Sequence, residues 1–253
     1  MKLSKLLIAI FLTIILTSCS FLSDREVELI LKYEVGDKFI ISTEILGGDN
    51  AIYHINQNME AQVEIIGLED SIYTMDLELL NVQSTIRAGG VNVHYDSKEN
   101  KPASKMTKEE RQMHSEFKDF YGRKVEFQMN SKGEKTSRFK DKDGRVVRGN
   151  PLDLETIIIP FPEIKVKEGS TWSTEAKTSL FSSSSNTYEV VNLGYSEVQI
   201  NSKTYLSGLA GMLKSKYASG EYIVNRETGN LKLGTLNMEL KGGGKLRVTY
   251  KIK

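Results

Sequence analysis

Ala51-Ile52-Tyr53-His54-Ile55-Asn56-Gln57-Asn58-Met59-Glu60-Ala61-Gln62-Val63-Glu64-Ile65 decides the fold. Its odd positions, Gln57 apart, read Ala51, Tyr53, Ile55, Met59, Ala61, Val63 and Ile65. Its even positions carry His54, Asn56, Asn58, Glu60, Gln62 and Glu64. A period of two over this length is the pattern of a long strand with one face buried and one in water.

The same pattern spreads in both directions. After a turn at Gly67 to Ser71, Tyr73, Met75, Leu77 and Leu79 alternate with Thr74, Asp76 and Glu78, then the phase flips to Leu80, Val82 and Ile86. A β-bulge near Leu79 and Leu80 accounts for the flip. Val125, Phe127 and Met129 face a turn at Asn130 to Gly133 and a second arm through Phe139, which reads as a hairpin. Leu231 and Leu233 shift phase at Gly234 to Leu236, Met238 and Leu240; Leu246, Val248, Tyr250 and Ile252 alternate to the end. With the runs at Glu28 to Tyr33, Phe39 to Leu46, Thr171 to Leu180, Asn186 to Leu193, Glu197 to Ser207 and Ser215 to Asn225, the count is about eleven strands. The expected fold is mainly β: a single curved antiparallel sheet, half-barrel or partly closed barrel, in one domain over 26–253.

Two helices interrupt it. Thr107 and Glu110 form a capping box, and Met106, Met113, Phe117 and Phe120 recur at near-helical spacing, so Lys108 to Phe120 is predicted as an amphipathic helix over the barrel mouth. Asn150 as N-cap and Pro151 at the first helical position predict a short helix through Leu152 to Ile158, stopped by Pro160 and Pro162. Lys98 to Lys105 and the serine-rich Phe181 to Ser185 read as loops.

The first residues read as an address. Lys2 and Lys5 precede an apolar run from Leu6 to Leu16, the layout of a secretion signal. About eleven apolar residues are too few to span a bilayer, which takes roughly 20. Leu16-Thr17-Ser18-Cys19 resembles the lipobox of bacterial lipoproteins. That resemblance implies removal of residues 1–18 and a lipid on the Cys19 thiol, with two or three chains that anchor stably. Ser20 after the cysteine resembles lipoprotein cargo sent to the outer membrane, so the expected location is the bacterial cell envelope, lipid-anchored. Ser20 to Arg25 would be a tether of roughly 20 Å at about 3.3 Å per residue.

Composition narrows the chemistry. The 253 residues carry 34 Lys and Arg against 33 Asp and Glu; without Lys2 and Lys5, 34 − 2 = 32 bases remain, and no nucleic-acid partner is implied. Cys19 is the only cysteine, so its acylation would remove disulfides, thiolate metal sites and thiol catalysis together. His54, His94 and His114 lack metal-ligand spacing and read as surface or rim residues. Asp141-Lys142-Asp143-Gly144 lacks the further oxygen ligands of a calcium loop, since Val147 and Asn150 follow where ligands are needed. A turn explains it. Lys132, Lys135, Arg138, Lys140, Lys142, Arg145 and Arg148 read as a solvated hairpin surface, with anionic headgroups as a second reading. Glu109 and Glu110 complement the helix dipole. No phosphate loop, nucleophile elbow, zinc-protease or dinucleotide motif occurs, and no cofactor or catalytic residue is expected.

Phe161-Pro162-Glu163-Ile164-Lys165-Val166-Lys167-Glu168-Gly169-Ser170-Thr171-Trp172 resembles the FP-x-x-x-V-x-x-G-x-x-W signature of an uncharacterised bacterial lipoprotein family. Tyr33 to Phe39, Gly220 to Val224 and Glu227 to Gly229 extend the likeness along the chain. The family has no assigned activity to carry over. The strand count with one or two helices also resembles, in architecture, the half-barrel of periplasmic lipoprotein carriers, whose sheet holds acyl chains; fold alone does not fix function. The expectation is a non-catalytic module that binds an apolar or lipid-like ligand between the sheet and the Met113 and Phe117 helix. The alternative is an accessory protein docking on an envelope partner.

Overall fold

The computed structural model describes residues 26–48, 53–88, 90–99, 101–147, 158–176, 184–206, 217–240 and 244–253. Cys19, the signal and tether, the Asn150 cap with Pro151, and most of the short second helix lie outside the described residues.

Eleven strands form one antiparallel sheet that does not close into a barrel. They are β1 (Lys38–Gly47), β2 (Tyr53–Glu69), β3 (Ile72–Ala88), β4 (Val91–Asp96), β5 (Lys124–Asn130), β6 (Thr171–Ala176), β7 (Ser184–Leu193), β8 (Glu197–Leu206), β9 (Tyr217–Asn225), β10 (Leu231–Glu239) and β11 (Lys245–Ile252). The order is β4-β3-β2-β1-β11-β10-β9-β8-β7-β6, with β5 sharing β3 with β4. From β1 to β4 and from β6 to β11 neighbours in sequence are neighbours in space; β5 returns to β3, β6 starts the opposite edge, and β11 lies beside β1, joining the two halves of the chain. The 17-residue β2 and β3 form the longest ladder.

The bulge expected near Leu79 is present: Ala61 pairs with Leu79 and Glu60 with Asn81, so Leu80 is the extra residue. That slip keeps both Leu77 and Val82 on the buried face. A second slip between Leu231 and Leu233 turns Leu231 inward and leaves Leu233 half-buried on the other side. The phase change read at Gly234 therefore occurs at Lys232.

The membership of the eleven differs from the sequence count. Leu29, Leu31 and Tyr33 are buried, but residues 27–36 form no ladder. The segment crosses one end of the sheet, bonding in passing to several elements. Val27 and Val166 exchange two bonds of 2.8 Å, Leu31 N–H donates to Ser131 O (2.7 Å), Lys32 N–H to Thr228 O (2.9 Å) and Gly36 N–H to Ile65 O (2.8 Å). The Tyr73 hydroxyl donates to Leu31 O at 2.9 Å, pinning the middle of the crossing. The arm through Phe139 likewise makes isolated bridges to β5. Strand β4 enters the count; β6 is described as far as Ala176, the rest of the run to Leu180 lies outside the described residues, and Ser184 and Ser185 belong to β7.

Helix α1 (Lys108–Phe117) has its capping box: Glu110 N–H donates to Thr107 Oγ1 (3.1 Å) and Thr107 N–H to Glu110 Oε2 (2.8 Å). Glu110 is buried beside Lys101 (2.7 Å), and these bonds hold its carboxyl below the usual range. The helix packs on edge strand β4, where the hydroxyl of Tyr95, paired with Ser84, lies 3.3 Å from His114 Nδ1. Its stripe is narrow, Phe117 buried and Met113 half-buried, which suits an edge.

Candidate functional site

The strands run between two unlike ends. Connections β2–β3, β7–β8 and β9–β10 are tight, and this turn end is the one crossed by residues 27–36. Strand pairs β1–β2, β3–β4, β6–β7, β8–β9 and β10–β11 are joined at the opposite, loop end.

At the turn end the inner face is filled by the chain itself. Tyr33 stacks on Phe39 (5.3 Å) and meets Tyr73 edge-on (5.3 Å), while Phe139 packs against Phe120 (5.6 Å) and Phe127 (5.3 Å). Burial, with Tyr73 and Asp37 nearby, pushes the Tyr33 phenol far up. The signature segment belongs to this filling. Phe161 and Val166 are buried, Phe161 N–H donates to Lys132 O (2.7 Å) and Trp172 Nε1–H to Pro160 O (2.8 Å). Its buried residues Phe161 and Val166 are part of the core. Gly229, at φ 72°, sits so close to Ile30 O that no Cβ fits.

Towards the loop end, paired positions form an apolar row across the inner face: Met238 opposite Leu246, Leu246 opposite Gly47, Gly47 opposite Ile55, Ile55 opposite Ile86 and Ile86 opposite Val93. Met238 and Val93 are buried; Leu246, Ile55 and Ile86 keep part of their surface in water. The next row inward ends in Gln57, Ser84 and Tyr95, the last touching α1. The Ser84 hydroxyl and that of inward-facing Thr43 are buried without a hydrogen-bond partner. An apolar wall with a few polar groups behind it is the usual make-up of a small-molecule site.

On the β6–β9 side the inner face is aromatic. Trp172 stacks on Tyr188 (5.2 Å), which meets Tyr222 (6.3 Å). The Tyr222 ring lies over Gly220 and Gly234, filling what their missing side chains leave. Burial raises both phenols, against Thr174 and Asn186 at Tyr188 and Ser202 at Tyr222, which lower them.

Two recesses lie elsewhere, the smaller, of about 350 Å³, lined by Val191, Gln199, Asn201, Glu221, Ile223 and Leu233. An open groove of about 1190 Å³ is lined by Asp76, Asp119, Lys124, Glu126, Lys140 and Arg145 among others. Lys124 pairs with Glu64 (2.7 Å) and Asp76 (3.5 Å), so its charge is answered locally. Asp141 to Gly144 is a turn, with Asp141 Oδ1 accepting from Asp143 and Arg145 N–H at 2.9 Å each. Lys132 departs from the solvated surface expected of the hairpin: it is buried and paired with Glu28 at 3.1 Å, because its turn lies under the crossing segment. His54 and His94 are exposed and His114 half-buried at the helix contact. Among the described residues no three potential metal ligands cluster.

Sequence reasoning placed Ile55, Ile86 and Leu246 on the buried face. It missed Val93, Tyr95 and Gly47; the Met113 and Phe117 helix, expected beside the site, lies at the β4 end of these rows against Tyr95.

No protein-family model matches the chain, and no curated protein matches it. A solved structure described as "lipid-protein interactions in lipovitellin" overlaps 87% of this chain and 25% of that one, at 12% identity and TM-score 0.47. The chain thus spans a quarter of that structure, and the overlap is too loose to carry anything across.

Proposed function

We propose that the protein is a lipid-anchored, non-catalytic lipoprotein of the bacterial envelope, attached through Cys19, which holds an apolar or lipid-like molecule against the loop-end half of its inner face. The observation that carries this is the row Leu246, Ile55 and Ile86, apolar and half-open in a sheet whose other end is sealed. Partly exposed apolar side chains gain about 25 cal/mol per Å² when a ligand covers them. Native mass spectrometry of protein taken gently from its own membrane should show a bound lipid-like mass. The double variant Ile55→Asp/Ile86→Asp should lose it, and Val146→Asp, on the charged groove, should keep it. Wild-type protein recovered only as apo would sink the ligand reading. Cys19→Ala should move the chain to the soluble fraction; retention on membranes would remove the anchor.

A second reading, docking on an envelope protein, is favoured by Tyr205 and Tyr217. These neighbours on the outer face of β8 and β9 lie 5.6 Å apart with the Lys203 ammonium 4.4 Å from the Tyr217 ring centre. Exposed aromatic pairs are common interface anchors. Crosslinking in cells from position 205 that traps one reproducible protein would support it, and none would count against it.

A further inference from the structure

We infer that the turn end of the half-barrel seats on the lipid surface, leaving the half-open row pointing away from it. The inference rests on the anchor proposed at Cys19.

Three observations meet at that end. First, the described chain begins there: Val27 is bridged to Val166, three residues before Gly169, whose N–H donates to Val190 O near the end of β7. The eight residues from Cys19 to Val27 reach roughly 26 Å at most. A lipid on Cys19 therefore keeps this end nearest the membrane. Second, exposed large apolar side chains gather there. Ile164 (69% exposed) lies two residues before the Val166 bridge and Tyr195 (80%) at the β7–β8 turn. Val35 (61%) sits beside the Gly36–Ile65 bond and Leu68 (50%) near the tip of the β2–β3 hairpin. Ile66 and Val191, also exposed, belong to the same end. These residues flank the crossing segment on both sides. Third, the nearby charges do not favour an anionic surface: Lys32, Lys165 and Lys167 stand among Glu34, Glu69, Asp70, Glu163 and Glu227.

An apolar rim that carries an anchor and lacks a basic patch fits shallow contact with uncharged lipid, with an exposed tyrosine at the headgroup level. It would sit by insertion of a few side chains, not by electrostatic attraction. The basic hairpin is not needed for this contact.

The test uses the full-length lipidated chain in phosphatidylcholine vesicles, with an environment-sensitive dye on a single introduced cysteine. Thiol labelling is specific because Cys19 would be blocked by its lipid. Dyes at Tyr195→Cys, Ile164→Cys and Leu68→Cys should shift to the blue and lose most of their emission to brominated lipid. A dye at Tyr205→Cys or Val146→Cys should do neither. If the protein floats with the vesicles but the three turn-end dyes stay in water, the seating is wrong and the anchor stands. If the protein does not float, or Cys19 itself takes dye, the anchor reading fails and takes the seating with it. Equal quenching at position 205 would also overturn the seating, by showing contact without orientation.

Discussion

At the turn end, Tyr73 and Phe127 are buried together with Leu31 and Tyr33 of the crossing segment, which is held by backbone bonds to Ser131, Thr228 and Ile65. At the loop end, Ile55, Ile86 and Leu246 occupy equivalent inward positions on the same sheet and remain partly wet. Both sets come from alternating strands of similar composition. What separates them is a covering layer, which comes from residues far away in sequence: Glu28 pairs with Lys132, and Lys32 N–H donates to Thr228 O. Strand pattern builds the sheet; long-range filling decides which part stays exposed.

The strongest way to break the contrast is to cut the same kind of side chain at each end. Phe127→Ala removes a fully buried ring that Phe139 packs against, and should cost about 3–5 kcal/mol in denaturant unfolding. Ile55→Ala should cost less, about 1 kcal/mol, since part of its surface is already hydrated in the folded state. Equal losses would mean that the loop end is sealed too.

These elements also show what the sequence could and could not reveal. Alternation in β2, β3 and β11 was legible because one-sided burial selects for it directly. Leu29, Leu31 and Tyr33 alternate for the same reason, yet residues 27–36 are a cross-piece. Periodicity reports which side is buried, and it is silent on whether the backbone pairs with one neighbour or several. Strand β4, Val91–Asp96, alternates as well, but six residues beside Gly89 and Gly90 give too short a signal to separate from a turn. For α1 the capping box fixed the start, and the stripe of Met113 and Phe117 said only that something packs there. Its place on β4 depends on Tyr95, a partner that the missed strand supplies. The candidate row was legible as inward-facing, while its partial exposure was not, because exposure depends on segments far away in sequence.

A second, smaller pair of changes sharpens the comparison through glycine. Gly229→Ala places a methyl against Ile30 O, a backbone atom of the crossing segment, in a conformation with φ 72°. Backbone cannot swing aside, so about 1–3 kcal/mol should be lost. At the loop end, Gly47→Ala meets Leu246 Cδ1 at 2.6 Å, the tip of a flexible and half-open side chain. Leu246 can rotate outward, and thermal unfolding should show a loss under about 1 kcal/mol. A costly Gly47→Ala would imply that Leu246 is held by a neighbour that its partial exposure does not suggest.

The smallest effect concerns the one strained feature of the filled end. Asp70 and Ser71 join β2 to β3 with φ of 48° and 65°, both left-handed, as a two-residue hairpin turn demands. Neither is glycine, so each carries a steric penalty of roughly 1–2 kcal/mol. Ser71 contributes its backbone oxygen to Ser131 N–H at 3.0 Å, a bond that survives any side-chain change. Ser71→Gly relieves the penalty but gives up about 0.5–1 kcal/mol through the freer unfolded chain. The net should be a gain of about 0.5 kcal/mol, or roughly 1–2 °C in thermal midpoint. If the midpoint falls instead, the serine side chain is holding the hairpin, and with it Leu68, in a particular pose. That outcome would separate the two ends once more, since rigidity at a tip exposing an apolar side chain is what seating on lipid requires, whereas the loop end has no comparable need.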